Sequence, residues 1–291
     1  MQPPIDPTAT DPDATALLDA LPSEVARRRV VAAADVGIAP DADNRDARVA
    51  ELDPPARRRV AEQIRFTGHP SVFYRRIPGL DGVDLADATS ASGFGGSVQT
   101  TLPTDDGVAA VCSVPETGAQ ARLGTAATDR VTTVVTARPD DSLVAVRAPD
   151  RDTATETVRT LGDALPLDDW ARPGFDADLR DRLADHAAAG YTRAVFDRPD
   201  GEADRVTVRA EADATDPPHD TPDVFADRVT RTLLEDDAVE LHAADARLAV
   251  DTPLDEPVPV TLVFGDDAVR FERFVPEATR AVVDGVVREC L

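Results

Sequence analysis

Clustered arginines near the start of the chain are the residues whose types and spacing most clearly suggest chemistry. Residues 24–80 contain 11 arginines and 8 acids, a local balance of +3 in a chain whose formal net charge is -24. A guanidinium group binds a phosphate through two hydrogen bonds and an aromatic ring stacks on a base, so this segment is a candidate surface for a nucleic acid or another partner. The candidate binding residues are Arg27, Arg28, Arg29, Arg57, Arg58, Arg59, Arg65, Tyr74, Arg75 and Arg76.

A structural role for these arginines is the alternative interpretation. Three consecutive helical residues span about 300° around the helix axis, so neither Arg27–Arg29 nor Arg57–Arg59 can present a single face. The arginines could instead pair with the many acids of the chain, or dock this segment against the remaining sequence. Molar salt would also weaken any binding that depends on counterion release. The sequence leaves both interpretations open.

Histidine and cysteine spacing predicts neither a metal site nor a cofactor. No two histidines lie three or four positions apart, and none forms a ligand motif with a cysteine or an acid. The histidines are His69, His186, His219 and His242. Cys112 and Cys290 lie far apart in the chain, which is typical of two buried free thiols rather than of a disulfide framework.

Other catalytic motifs are also missing from the sequence. The chain contains no lysine, which excludes a P-loop lysine and a Schiff base, and it contains no GxSxG motif. The glycine-rich stretch around Gly93–Gly96 precedes a strand pattern rather than a helix, so it lacks the helix N-terminus of a nucleotide loop. We therefore predict no catalytic residues.

The leading hypothesis is a non-enzymatic binding or regulatory protein that contacts its partner through the arginine-rich N-terminal segment. That partner would be another protein or a second copy of the chain, and a nucleic acid is the more specific form of the hypothesis. One alternative is an enzyme whose site is assembled from scattered residues, with His242, an Asp and an Arg meeting across a sheet. A purely structural oligomerisation module is the other.

The charge composition predicts the environment of the protein. The chain of 291 residues has 55 acids against 31 arginines, and Asp outnumbers Glu roughly three to one. This bias is typical of cytoplasmic proteins of halophilic archaea, in which molar salt screens the repulsion between carboxylates. The sequence shows no secretory signal and no apolar run near 18 residues, so we expect a cytoplasmic protein that does not enter a membrane.

Hydrophobic periodicity predicts an α+β fold, with a helical N-terminal unit followed by two antiparallel-sheet-plus-helix units. Residues 14–80 have a helical pattern, and Asp53 followed by Pro54 marks one helix start. The period then changes from about 3.6 to 2. The strands of the first unit are predicted at Ser97–Leu102, Val108–Val114, Arg130–Arg138 and Leu143–Ala148, before a helix that ends near Leu165.

The second unit repeats the order of strands followed by a helix. Helices are predicted at Asp176–Ala189 and Asp223–Glu235, the latter with Phe225, Val229 and Leu233 on one side. The strands are predicted at Tyr191–Phe196, Val206–Ala210, Val239–His242, Arg247–Val250, Val258–Phe264 and Val269–Phe274, and Pro276 opens the last helix. The predicted divisions are a disordered leader at 1–13, the helical unit at 14–90, and α+β units at 91–170 and 171–291.

Overall fold

Four short helices form the beginning of the chain in the computed structural model. The structure describes residues 13–64, 69–80, 92–93, 96–104, 107–115, 130–138, 142–165, 170–198, 205–210, 223–253 and 256–291. The helices are α1 (Ala14–Asp19), α2 (Glu24–Ala34), α3 (Arg45–Ala50) and α4 (Pro54–Glu62). The predicted start of α4 is correct, because the Asp53 carboxylate accepts a hydrogen bond from the Ala56 amide at 2.8 Å.

Apolar side chains from all four helices form a small core of their own. Leu18, Val30, Val49 and Val60 are fully buried within it. Phe274, from the far end of the chain, packs against the same core. The helical unit is therefore attached to the C-terminal part of the protein by apolar contact.

Within the described ranges, eleven antiparallel strands form one continuous sheet in the order β2-β3-β4-β5-β6-β1-β11-β10-β9-β7-β8. The strands before the middle of the chain are β1 (Ser71–Arg76), β2 (Ser92–Gly93), β3 (Gly96–Thr104), β4 (Gly107–Pro115), β5 (Arg130–Ala137) and β6 (Leu143–Ala148). The later strands are β7 (Ala187–Asp197), β8 (Arg205–Arg209), β9 (Glu240–Leu248), β10 (Val258–Val263) and β11 (Ala268–Phe271). The predicted α+β class is confirmed.

Strand β1 joins the two halves of the sheet. The helical pattern predicted for residues 14–80 is therefore wrong over Ser71–Arg76. It pairs with β6 on one side and with β11 on the other. Val72 and Tyr74 enter one apolar core while Phe73 enters the other, so β1 is buried on both faces. A short strand buried on both faces has no alternating pattern, which is why periodicity did not distinguish it from a helix. The division into units remains a prediction, although the sheet runs through both.

One helix covers each half of the sheet, and the two helices lie on opposite faces of it. Helix α5 (Arg151–Ala164) packs on the face that carries Phe73 and Val146, and α8 (Glu277–Cys290) packs on the face that carries Tyr74 and Val260. Helix α6 (Ala177–Ala184) lies on the same face as α8. The part of the α5 face that belongs to the other half of the sheet has no such helix among the described elements.

Several element predictions for the second unit are wrong in their details. The strands predicted at Val239–His242 and Arg247–Val250 are one strand, β9, because the alanines between them continue the pairing with β10. The helix predicted to run to Ala189 ends at Ala184, where β7 soon begins. The helix predicted over 223–235 is a 3-10 turn followed by α7 (Arg228–Leu234), and Val229 is exposed.

Gln63 fixes the helical unit to the start of α8. Its main-chain oxygen accepts a hydrogen bond from the Glu277 amide at 3.1 Å, and its side-chain oxygen accepts one from the Ala278 amide at 2.9 Å. The first amides of a helix have no partner within that helix. Gln63 therefore caps α8 from a distant part of the chain, because the helix has no side-chain cap of its own.

Candidate functional site

The first predicted arginine triplet divides among three environments on α2. Arg27 donates from Nη1 to the Asp46 carboxylate at 3.1 Å, within the helical unit. Arg28 is exposed. Arg29 is mostly buried and reaches the C-terminal half, where its Nη2 lies 2.9 Å from Glu256 Oε2. The triplet does not present one face, in agreement with the helical geometry expected for consecutive residues.

The remaining predicted binding residues are also separated by the fold. Arg57 is half-buried on α4, and Arg58 and Arg59 are exposed. Arg65 lies outside the described residues. Arg76 donates from Nη1 to the hydroxyl of Ser142 at 3.2 Å.

Tyr74 and Arg75 are core residues, which corrects their predicted place on a binding surface. Each is only 1% exposed. Arg75 donates from Nη1 to the carbonyl oxygens of Tyr74 at 2.6 Å and Asp266 at 3.1 Å, and it lies over the Trp170 ring. Burial lowers the pKa of Arg75 to about 10, so the guanidinium stays charged at neutral pH. Its role is to tie β1 to the turn between β10 and β11.

A cleft between α2, the loop before β10 and the first turn of α8 is the strongest candidate site among the described residues. It is a shallow, half-open depression, and the space over its lining is about 340 Å³ when open solvent is included. Both charged and apolar side chains line it: Arg29, Thr252, Pro253, Glu256, Val258, Arg273, Val275, Pro276 and Thr279. The cleft therefore contains Arg29, a predicted residue that the fold places at a junction between the helical unit and the sheet.

Two guanidinium groups share one carboxylate in this cleft. Arg29 lies 2.9 Å from Glu256 Oε2, and Arg273 Nη2 lies 3.8 Å from the same oxygen. The hydrogen bond from Arg29 lowers the pKa of Glu256, and the charges of Arg29, Arg273 and Arg28 lower it further. Burial lowers the pKa of Arg273, and so does the nearby positive charge of Arg29. Positive charge therefore exceeds negative charge around Glu256.

Glu256 and Arg273 were not among the predicted residues. Glu256 lies 227 positions from Arg29 in the chain, and no local motif marks either residue. Only the folded sheet brings them together, since Arg273 follows the last residue of β11 and Glu256 precedes β10.

His242, an Asp and an Arg do meet across the sheet, as the enzyme hypothesis requires. His242 Nδ1 lies 3.0 Å from Asp197 Oδ2, and Arg205 Nε donates to Asp197 Oδ1 at 2.8 Å. The pairing of β7 with β9 shifts register here, since Val195 faces Ala243 but Phe196 faces Leu241. His242 is thus the extra residue of a β-bulge, a device that re-aims a side chain. His242 and Asp197 are each about one-third exposed and do not line the cleft.

His69 and the two cysteines, which the sequence also offered as candidates, are partly or wholly buried. His69 Nε2 lies 2.8 Å from the Thr132 carbonyl oxygen, and burial lowers the pKa of His69. Both cysteines are buried as predicted, and burial raises the pKa of Cys112 to about 12. His219 falls outside the described residues.

The glycine-rich stretch forms part of a strand pair rather than a phosphate loop. Gly93 pairs with Gly96 between β2 and β3. A Cβ atom on Gly96 would lie 2.1 Å from the Thr160 hydroxyl, so glycine is required here for α5 to approach the sheet. The two residues between the strands are outside the described part of the chain.

No three His, Cys, Asp or Glu side chains within the described ranges are placed to hold a metal ion. None of the helices described here is long and apolar enough to cross a bilayer.

No family model matches the sequence, and no curated protein is significantly similar to it.

Proposed function

We propose that this chain is a non-enzymatic binding protein that holds an anionic group of its partner or ligand in the cleft around Arg29 and Arg273. The observation that carries the proposal is the convergence of these two guanidinium groups on the single carboxylate of Glu256. In a chain of net charge -24, a local excess of positive charge at a cleft favours the recognition of an anion.

The chemistry of the cleft suits a phosphate or a carboxylate. Guanidinium groups bind both in a bidentate manner, and such charge-assisted hydrogen bonds are stronger than neutral ones. Glu256 is half exposed and occupies the position of a ligand carboxylate, so an incoming anion would compete with it for Arg29 and Arg273. Since Arg29 belongs to the helical unit and Arg273 to the sheet, a bound anion would also strengthen the attachment between them.

We expect the protein to act in the cytoplasm of a halophilic archaeon, as the composition predicts. Its regulatory role would be a change in the docking of the helical unit when the anion binds. Direct hydrogen bonds to guanidinium groups persist at salt concentrations that screen long-range attraction.

Substitutions at Glu256 and Arg273 are expected to change anion affinity in opposite directions. Glu256→Gln removes the competing charge and should tighten binding of inorganic pyrophosphate by about three- to ten-fold. Arg273→Ala removes a charged hydrogen-bond donor and should weaken binding about ten-fold or more. Isothermal titration calorimetry in constant KCl measures both constants. Arg48→Ala, at an exposed arginine of α3, removes the same charge away from the cleft and serves as the control.

Equal affinities for the wild type and both cleft variants would contradict the proposal. So would an equal loss in Arg48→Ala, because that result would indicate attraction by total charge rather than by the cleft.

The His242–Asp197–Arg205 contact supports a second candidate function, an enzyme that uses His242 as a general base. With Nδ1 directed at Asp197, the Nε2 atom is left to accept a proton from an attacking water molecule. This candidate predicts that hydrolysis of a p-nitrophenyl ester falls about 100-fold in His242→Gln relative to the wild type. The assay needs Arg198→Gln as its matched control at an exposed neighbouring position. Indistinguishable rates in wild type and His242→Gln would eliminate this candidate.

A further inference from the structure

A continuous row of polar side chains crosses six neighbouring strands on the half of the sheet that α5 does not cover. Each residue lies directly opposite the next in the strand pairing. In order from the β8 edge to the central strand, the row is Arg209, Arg193, Asp245, Thr261, Arg270 and Ser71. We name these six residues the polar row.

Strand alternation places the polar row on the same face as Val263 and Ala268, which pack in the core beneath α5. Arg247 lies two residues beyond Asp245 on β9 and therefore shares this face. Arg209, Arg247 and Arg270 are exposed. Their exposure shows that no described element lies over this part of the sheet.

Internal pairing neutralises only the centre of the polar row. Arg193 donates to both oxygens of Asp245, from Nε at 2.6 Å and from Nη2 at 3.0 Å. Thr261 donates its hydroxyl to the same carboxylate at 2.7 Å. These bonds hold the middle of the row in place and neutralise Asp245, the acid of the row.

Three arginines and two glutamates remain on the face, since Glu240 lies opposite Asp197 in the strand pairing and Glu272 lies two residues beyond Arg270. Arg209, Arg247 and Arg270 form no ion pair with any residue in the described ranges, and Arg270 donates only a long hydrogen bond of 3.4 Å to Ser71. Arg247 lies opposite Pro259 in the strand pairing, next to Val258 of the cleft, and its charge lowers the pKa of Arg273. The three arginines outnumber the two glutamates, so the face keeps an excess of positive charge beside the cleft.

We propose that this face, together with the cleft, binds the phosphodiester backbone of a nucleic acid. The inference rests on the proposed function and specifies its partner. It also moves the nucleic-acid contact from the N-terminal arginine triplets to the open half of the sheet.

The dimensions of the face suit a polymer of phosphates. Arg209 and Arg270 lie on strands separated by four strand spacings, or about 19 Å. Binding sites for a single strand hold about four or more nucleotides in a charged groove, so a face of this length can contact several phosphates of one strand. The exposed hydroxyl of Thr207, on β8 beside Arg209, supplies a further donor of the kind that contacts phosphate oxygens.

Side-chain chemistry on the face favours a nucleic acid over a protein partner. Stable protein interfaces need apolar or aromatic anchors at their centre. The exposed large apolar side chains of the described residues are Val25, Val229, Leu234 and Val282, all on helices. The polar row contains no aromatic ring, so we expect contact with the backbone and little preference for base sequence.

Fluorescence anisotropy with a labelled 20-nucleotide oligothymidine tests the inference on the full chain. The titration uses the lowest KCl concentration at which the circular dichroism spectrum equals that in 2 M KCl, followed by a series of higher concentrations. The test variant is Arg209→Gln/Arg270→Gln. The control is Arg48→Gln/Arg228→Gln, which removes two exposed arginines from α3 and α7.

The expected result is a loss of affinity of about ten-fold or more in the test variant and little change in the control. The slope of log affinity against log salt should also become shallower by about 1.4, the value for two lost contacts to single-stranded phosphates. Equal binding by the test variant and the control would overturn the inference.

Pyrophosphate titration separates this inference from the proposed function. If pyrophosphate binds as the Glu256 and Arg273 variants predict but the oligonucleotide does not bind, the inference fails and the proposed function stands. If poly-glutamate binds and its binding requires Arg209 and Arg270, while oligothymidine does not bind, the partner is an acidic protein and the inference is again overturned. If neither pyrophosphate nor oligothymidine binds, both fail.

Discussion

Asp267→Asn is expected to destabilise the protein by about 3 kcal/mol, because a fully buried carboxylate loses its charge while its donors remain. Asp267 accepts a hydrogen bond from the Phe175 amide at 2.7 Å and an ion-pair hydrogen bond from Arg172 Nε. Its carbonyl oxygen accepts from the Tyr74 amide at 2.8 Å. One residue thus joins β1, the segment before α6 and the turn before β11.

Asparagine is the informative substitution at this position because it preserves shape and backbone preference. Asp267 has a φ of +50°, in the left-handed region that Asn and Asp tolerate better than other residues with a side chain. The change therefore tests the charge and the hydrogen bonds rather than strain. Urea denaturation at fixed KCl measures the free energy of unfolding.

Asp266→Asn is the matched control for this prediction. Asp266 is adjacent and half-buried, and its contact with the exposed Arg151 is long, at 3.5 Å. Such a pair contributes at most about 1 kcal/mol. Equal effects of the two substitutions would show that the buried carboxylate is not the organising contact of this junction.

Salt is expected to raise the free energy of unfolding by several kcal/mol between 0.1 and 2 M KCl, an effect on the order of the whole stability of a typical domain. The chain carries a net charge of -24, and the repulsion among its carboxylates opposes the compact state. The Debye length falls from about 10 Å at 0.1 M to about 3 Å at 1 M. Most of the gain should therefore occur below about 1 M. Urea denaturation at a series of KCl concentrations provides the measurement.

The shape of the salt dependence distinguishes screening from a general effect of solutes. Excluded solutes such as sucrose favour burial without acting on charge. A linear rise in stability up to 3 M KCl, matched by sucrose at equal osmolality, would contradict the screening explanation and the halophilic interpretation of the composition.

Buried arginines explain why a charge pattern alone overestimated the binding surface. Arg280 donates to the carbonyl oxygens of Val275 at 3.1 Å and His69 at 3.0 Å, and it lies 4.8 Å from the centre of the Phe271 ring. Burial lowers its pKa to about 10, so it remains charged at neutral pH. Arg288 similarly donates to the Leu143 carbonyl oxygen at 2.8 Å. In a chain without lysine, arginine supplies the basic groups of the surface as well as the buried hydrogen-bond donors. Composition does not distinguish the exposed arginines from the buried ones.

The elements that sequence reasoning predicted well are those with local signals. Asp53 and Pro54 define the start of α4, and the strands β3 to β6 alternate or lie between turn residues. The failures depend on tertiary context. Strand β1 is identified only by its two partners, β6 and β11, and the alanines within β9 have little preference for a strand by themselves.

The candidate site could be predicted only in part. Arg29 belongs to a conspicuous triplet, but its partners Glu256 and Arg273 come from the other end of the chain and have no motif. The sequence allowed the prediction that His242 meets an Asp, but not which Asp. The contact with Asp197 depends on the register shift between β7 and β9. Long-range register is not encoded by any local pattern, and both sites depend on it.

Side-chain NMR of the arginine Nε–Hε groups during a pyrophosphate titration tests the central claim most directly. We expect the Arg29 and Arg273 resonances to shift and saturate together, with the dissociation constant found by calorimetry. Arg48, exposed on α3, should remain unchanged. Small, unsaturable shifts spread over the exposed arginines, with Arg29 and Arg273 unaffected, would contradict the claim that the cleft is an anion-binding site.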